Sequence, residues 1–438
     1  MKVSRNTKTT ITALLTGVSI ATVAVSSAWA QQAPQEDEVI RPYDEIVVTA
    51  RFREETVQDI GGSISALDSA AFEREGILDF EDIANRTAGL NLNDRGPNQN
   101  DVGIRGVSSG VGQAFGDSGI SGPLISQFLD DIPVAQSTAS QRDFNLFDFE
   151  RVEVLRGPQP TFFGEGSVGG TIRYVTRTPD LSGDPISDSI LKVGLSTTKS
   201  GDANYSVSAA STFVVVPDKF AVRGVINYRD DSGYIDNSTL GTDNINDFES
   251  LSGRLVALIE PNDDLSIRLM TFIGRDDIGE NNSVALPLFL PASDLVSNSP
   301  IDGENEDDFE LYTGKIDYDF GPITATSITS LYNRDSSTEF FCGACAAFGL
   351  FLPTPIAPRS LVDIDDRSFT QEFRFVSDFD GPLNFTAGLY YQDTELTSEN
   401  NTTAAGFGEF VVLPAGSCLL YTSPSPRDAT LSRMPSSA

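Results

Sequence analysis

The chain has no histidine in its 438 residues. That excludes a Ser-His-Asp triad, a Cys-His pair and any histidine-ligated zinc within these residues. Cysteine is nearly absent, with three residues in all. Two of them, Cys342 and Cys345, form a C-x-x-C in Phe341-Cys342-Gly343-Ala344-Cys345. A redox motif of this spacing sits at a helix start, and a zinc site needs a second pair. Neither is present, so a small loop disulfide is the expectation for an exported chain. No catalytic residue, metal site or cofactor is expected. Basic residues are also scarce: 30 Lys and Arg against 63 Asp and Glu leave a net charge of −33. With residues 1–30 (+3) and 418–438 (+1) set aside, the segment 31–417 carries −37. Such a surface repels phosphates and argues against a nucleic-acid partner. It suits a surface that attracts cations or faces lipopolysaccharide, and equally suits simple solubility.

Long apolar runs are missing too. Ile11 to Val25 is mostly apolar or small, but too short to span a membrane comfortably. Lys2, Arg5 and Lys8 precede it and Ala28-Trp29-Ala30 follows, the pattern of an export signal cleaved before Gln31. The mature protein is therefore expected outside the cytoplasm, as a soluble protein or as a β-barrel.

The densest motif runs from Phe149 to Thr176, FERVEVLRGPQPTFFGEGSVGGTIRYVT. Gly164, Gly166 and Gly169 match a G-x-G-x-x-G nucleotide fingerprint. That fingerprint requires a helix after its last glycine. Here Thr171-Ile172-Arg173-Tyr174-Val175-Thr176 is β-branched and aromatic, so a strand is predicted and nucleotide binding is set aside.

The run Glu150 to Gln159, followed by Gly169-Gly170-Thr171-Ile172, closely resembles the plug-domain motif of TonB-dependent outer-membrane receptors. Asp44-Glu45-Ile46-Val47-Val48-Thr49-Ala50 resembles the TonB box, whose site residues would be Glu45, Ile46, Val47, Val48, Thr49 and Ala50. Its β-prone side chains and polar flank suit a segment with free N–H and C=O groups, ready to add as a strand to a partner's sheet. Val102 to Val107 and Gln127 to Val134 resemble further plug strands, in the family's order. The resemblance carries plug-motif roles to Arg105, Gly106, Arg151, Glu153, Arg156, Gly157, Pro158, Gly169 and Gly170. Arg105, Arg151, Glu153 and Arg156 are placed on strands, pairing with the barrel wall or within the plug. Ser108–Gly122 and Gln159–Ser167 are expected at the ligand-facing tips. Pro160 departs from the family pattern by stiffening the turn and removing an N–H. Glu165-Gly166 stands where an Arg-Asn-like pair is usual.

Elsewhere in this region Ser63–Leu67 reads as a strand and Ser69–Glu75 as a helix stopped by Gly76. Asp79 caps a second helix with Phe80, Ile83 and Ala84 on one face and Gly89 as the stop. From Ile190 the pattern becomes segments of about ten residues that alternate apolar and polar. Nine strands are predicted: 190–198, 203–213, 220–230, 251–259, 265–275, 310–320, 323–334, 367–377 and 383–395. Tyr312, Gly314, Ile316, Tyr318 and Phe320 share one face; Thr313, Lys315, Asp317 and Asp319 share the other. Short and long connections alternate after a short first loop, as in barrels with short periplasmic turns and long external loops. The acidic stretch Asp302 to Glu310 lacks the order of a calcium loop and reads as a solvated loop.

The expected fold is an α+β plug domain followed by an antiparallel transmembrane β-barrel, incomplete at about nine strands of an expected 22. The expected segments are a signal peptide (1–30), a disordered stretch with the box (31–54), a plug (55–178) and a truncated barrel (186–417). Residues 418–438 resemble the translation of a sequencing adapter; a Ser/Pro-rich tail is the alternative. The resemblance implies an importer of a scarce ligand, such as a ferric siderophore, and not an enzyme. Its partners would be the TonB complex of the inner membrane, outer-membrane lipid and lipopolysaccharide, and the small-molecule ligand. The competing reading is an exported β-rich binding or adhesion protein without transport activity.

Overall fold

The computed structural model describes residues 47–48, 55–56, 62–108, 123–134, 142–164, 166–183, 188–280, 282, 295–341, 357–381 and 383–405. The signal segment, Cys342, Cys345 and residues 418–438 lie outside them, as do Glu45, Ile46, Thr49 and Ala50 of the box.

The first part of the chain is built from short elements. Strands β1 (Val47–Val48) and β2 (Glu55–Thr56) pair antiparallel. Next come β3 (Ser63–Asp68), α1 (Ser69–Glu75) and α2 (Phe80–Arg86). Asp68 caps α1 by accepting from Ala71 N at 2.7 Å, and Asp79 caps α2 by accepting from Asp82 N at 3.2 Å. Gly76, at φ 65°, closes α1. Helix α2 ends at Thr87, before the predicted stop at Gly89, because the chain turns there into β4 (Leu90–Asn93). Strands β5 (Asp101–Ile104) and β6 (Val107–Ser108) complete a small sheet with β4.

The remaining elements of this part are β7 (Ile125–Leu129), β8 (Ile132–Pro133), β9 (Phe149–Arg156), α3 (Pro160–Phe163) and β10 (Gly170–Thr176). They form a five-stranded sheet, order β3-β9-β10-β7-β8, in which only β10 and β7 run parallel. A strand, not a helix, follows Gly169, which removes the nucleotide reading. Pro160 does not disturb the turn: it occupies the first position of α3, where its missing N–H has no helical partner to lose.

The second part is a nine-stranded antiparallel sheet. Its strands are β11 (Ile190–Thr197), β12 (Ala203–Val216), β13 (Phe220–Asp231), β15 (Phe248–Asn262), β16 (Leu265–Ile278), β18 (Asn305–Asp319), β19 (Ile323–Phe341), β20 (Ala357–Ser377) and β21 (Thr386–Ala405). They pair in sequence order, each hairpin to the next, and among the described residues the sheet does not close. Two further strands, β14 (Asp236–Asn237) and β17 (Val296–Ser297), tie two long loops together in parallel.

All nine predicted strands are present, and most are longer than predicted. Growth is greatest at the long-loop ends: β19 and β20 stay paired out to Phe341↔Arg359. The acidic stretch is corrected in the same way, since Asn305 to Glu310 is strand. These extensions carry polar residues on both faces, so they have no apolar alternation to read.

Alternation sorts the faces of the sheet. Leu191, Val193, Leu195, Leu255, Leu269, Ile316, Phe373 and Leu389 point outward and are exposed. Tyr318, Phe320, Phe375 and Tyr391 are also exposed and so are not core aromatics. The inward positions bury Val256, Met270, Phe272, Phe309, Leu311, Ile328 and Tyr332 in one cluster with Phe80, Phe144, Phe149 and Tyr174 of the first part. An apolar outer face with the first part packed inside is the arrangement of a plugged membrane barrel.

Candidate functional site: the plug motif and its seat in the wall

The box segment is not free in this structure. Val47 and Val48 pair with Thr56 and Glu55, and Val48 is fully buried against Phe128, Leu155 and Phe163. Among the described box residues, Val47 and Val48 are engaged in the β1–β2 ladder, where open N–H and C=O groups were expected. Phe163, from the stretch expected at a ligand-facing tip, packs on Val48 instead.

The charged motif residues separate into three places. Arg151 and Glu153 share one face of β9, and Arg173 stands opposite Glu153 on β10. Arg151 Nε donates to Glu153 Oε1 at 2.7 Å, and Arg173 Nη1 donates to Oε2 at 3.3 Å. Two guanidiniums thus hold one carboxylate that is fully buried. Arg173 Nη2 continues to Asp131 at 3.0 Å, and Lys315 on β18 stands 3.6 Å from that carboxylate. Burial works to raise the Asp131 carboxyl, but Lys315, Arg173 and Arg374 outweigh it and hold it well below the usual range.

Arg156 lies at the far end of β9. It donates to Ala88 O at 2.6 Å and to Ser65 Oγ at 3.0 Å, joining β9 to β3 and to the turn after α2. Arg105 is corrected: with φ 52° it occupies the β5–β6 turn with Gly106, not a strand. Two short strands replace the single one predicted because that turn reverses the chain.

The motif glycines are structural. Gly157, at φ 101°, reverses the chain after β9 and donates to Gly169 O at 2.9 Å. Pro158 follows it into α3. At Gly170 an added Cβ would lie 2.8 Å from Ile104 Cδ1, so this position admits no side chain.

Sequence reasoning missed the seam between plug and wall. Asp148, at φ 63°, is gripped from two wall strands. Arg223 donates to both its carboxylate oxygens, at 3.0 Å from Nε to Oδ2 and 2.5 Å from Nη2 to Oδ1. Arg254 Nη2 donates to Oδ2 at 2.9 Å and to the Asp148 carbonyl at 2.6 Å. A second grip is Arg142, which reaches Asp276 at 2.5 Å and Asp307 at 2.7 Å, with Arg334 closing on Asp307 at 2.9 Å. The Arg142 guanidinium also lies 3.9 Å over the Phe309 ring. A third joins Asp130 to Arg268 at 2.9 Å. The sequence signal is faint: arginines, Arg223, Arg254, Arg268 and Arg334, at inward positions of otherwise alternating strands.

Beside the second grip, Asp143 accepts from Asn98 N at 3.1 Å and from Asn100 Nδ2 at 2.6 Å. Burial pushes its carboxyl up to about 7, and nearby Asp79 and Asp94 add to the push. Among the described residues no group of three or more His, Cys, Asp or Glu is disposed to hold a metal ion.

Residues 56–171 match the TonB-dependent receptor plug domain family. The iron-regulated outer membrane virulence protein of Vibrio cholerae is 28% identical over 170 residues, 36% of this chain and 23% of that protein. The pesticin receptor of Yersinia enterocolitica is 37% identical over 79 residues, 18% of this chain and 10% of the receptor. Among solved structures, the ferric yersiniabactin uptake receptor FyuA of Yersinia pestis superposes with a TM-score of 0.64 at 18% identity, covering 80% of this chain and 50% of that one. BauA, the ferric preacinetobactin receptor of Acinetobacter baumannii, gives 0.60 at 17%, covering 83% and 51%. The alignments thus take in about half of each solved receptor and a quarter or less of each curated relative.

Proposed function

We propose that this chain, which belongs to the TonB-dependent outer-membrane receptors, serves to import a scarce ligand into the periplasm, with a ferric chelate as the leading class. The observation that carries the reading is the seam. The plug is seated by buried ion pairs at Asp148, Arg142 and Asp130 in addition to apolar contact. Such pairs hold firmly while dry and weaken once water enters, because exposed ion pairs contribute little. A plug seated this way can be released and reseated without covalent chemistry.

The energy source in this reading is TonB, which takes hold of Glu45 to Ala50. Val47 and Val48 must first leave β2, and Val48 must leave its pocket, at a cost of about 2 kcal/mol for the valine side chain. The freed strand then adds to an edge of the partner's sheet. Arg151, Glu153, Arg173 and Asp131 keep the plug sheet joined to β18 through Lys315 while the box is displaced. The ferric class draws support from the similar proteins described above, several of which are named for iron or ferric siderophores.

The test is uptake of iron-loaded chelates by cells expressing the receptor, with and without a proton-motive force. Energy-dependent accumulation supports import. Binding at the surface with no accumulation under any energised condition leaves only the adhesion reading.

A further inference from the structure

Asp366 breaks the pattern of the seam. The other buried carboxylates there are well supplied with donors: Asp148 by Arg223 and Arg254, Asp276 by Arg142, Asn98 and Ser250, Asp307 by Arg142 and Arg334. Asp366, at an inward position of β20, is fully buried and neither carboxylate oxygen has a hydrogen-bond partner. Burying a carboxylate without donors is costly, and native structures seldom leave one so.

Two neighbours are short of partners as well. Arg334 faces Asp366 directly across the β19–β20 ladder, yet commits Nε and Nη2 to Asp307 and leaves Nη1 unpartnered. The Tyr332 hydroxyl, two residues along β19, is buried and unpartnered too. The local charge does not balance: Asp276, Asp307 and Asp366 stand against Arg142 and Arg334. Water could supply hydrogen bonds here but not the missing positive charge. Asp308, Asp335 and Asp365, each one residue along from this inward set, stand opposite one another across three strands on the other face of the sheet.

We infer that Asp366, with Tyr332 and Arg334 Nη1, forms a ligand subsite for an ammonium or guanidinium group lying next to an oxygen acceptor. The cationic nitrogen donates to the Asp366 carboxylate and the Tyr332 oxygen, and the neighbouring ligand oxygen accepts from Arg334. The ligand class this selects is a chelate or other small molecule with a basic nitrogen, in preference to an anionic one. This rests on the import reading above.

The probes are the ferric complex of a linear trihydroxamate with a free terminal amine and its N-acetylated form, titrated against the chain in outer-membrane vesicles. The amine form should bind about tenfold more tightly, the equivalent of one charge-assisted contact. Asp366→Asn should bring the two forms within about twofold while leaving the affinity of the N-acetylated form unchanged, which also shows that the variant is folded. Tyr332→Phe should lower the amine preference by about threefold. Equal affinity for the two forms, as when Asp366 simply holds a proton, overturns the subsite. So does failure of either form to bind, or a preference that survives Asp366→Asn. Uptake by energised cells is scored separately: a preference in binding with no accumulation overturns import and leaves the subsite standing.

Discussion

Arg223 and Asp148 meet with neither side chain exposed, the guanidinium donating to both carboxylate oxygens. One residue belongs to the plug and the other to the wall, and Arg254 completes the grip from the next strand. Removing one partner strands a charge in a dry seam. Arg223→Ala should therefore destabilise the folded chain by about 3–5 kcal/mol, whereas replacing the whole triad, Asp148→Leu with Arg223→Met and Arg254→Met, should recover a large part of the loss. Thermal unfolding in detergent, with limited proteolysis of the plug, measures both. A single variant as stable as the parent would remove the seam from the stability argument.

Val48→Pro should abolish energy-dependent uptake while sparing surface binding, because proline cannot donate to a strand ladder. Val48 is also buried on Phe128, Leu155 and Phe163, so the variant should expose residues near β1 to protease. Uptake at the parental rate would remove the role assigned to this segment.

Asp143 gives the plug a pH dependence of defined sign. Its folded carboxyl is raised to about 7, above its unfolded value, so the folded state holds the extra proton between the two. The stabilisation is complete below the unfolded value and is lost as pH rises through about 7, at a slope of at most about 1.4 kcal/mol per pH unit. Asp143→Asn should flatten this part of the stability profile while leaving the pH 4 value nearly unchanged. A parental profile that rises with pH across the same window would refute the assignment.

Gly170 and Pro160, ten residues apart, should differ sharply in their tolerance of alanine. Gly170→Ala drives a methyl into Ile104 and the β9 backbone and should cost about 1–3 kcal/mol. Pro160→Ala, at the first position of α3, should change stability by less than about 0.5 kcal/mol. Chemical denaturation of the two variants side by side checks the pair.

What could be read in advance follows from the range of the interactions. The nine wall strands were legible because Leu191, Val193 and Leu195, or Tyr312, Ile316 and Tyr318, repeat at every second position over a full strand. The cap at Asp79 and the stop at Gly76 were legible because each acts within a few residues. The Arg105 turn was hidden because arginine carries no turn signal and its φ of 52° is uncommon for it. The grips on Asp148 and Arg142 join residues 75 to 165 positions apart, and no local pattern encodes them. The burial of Val48 was hidden for the same reason: its pocket is assembled from three distant stretches of chain.

That pocket has a kinetic meaning. Phe128 of β7, Leu155 of β9 and Phe163 of α3 all pack with Val48, and the Phe128 and Phe163 rings also meet edge-on at 5.1 Å, so the fraction of time the segment spends undocked reports on all three at once. Under the proposed import cycle a disturbance in any of them would lengthen the intervals during which the strand can be captured, with no need for a signal to travel along one path. In that reading the docked valine would sum three inputs, with a threshold set by how well those aromatic and aliphatic side chains pack around a single isopropyl group.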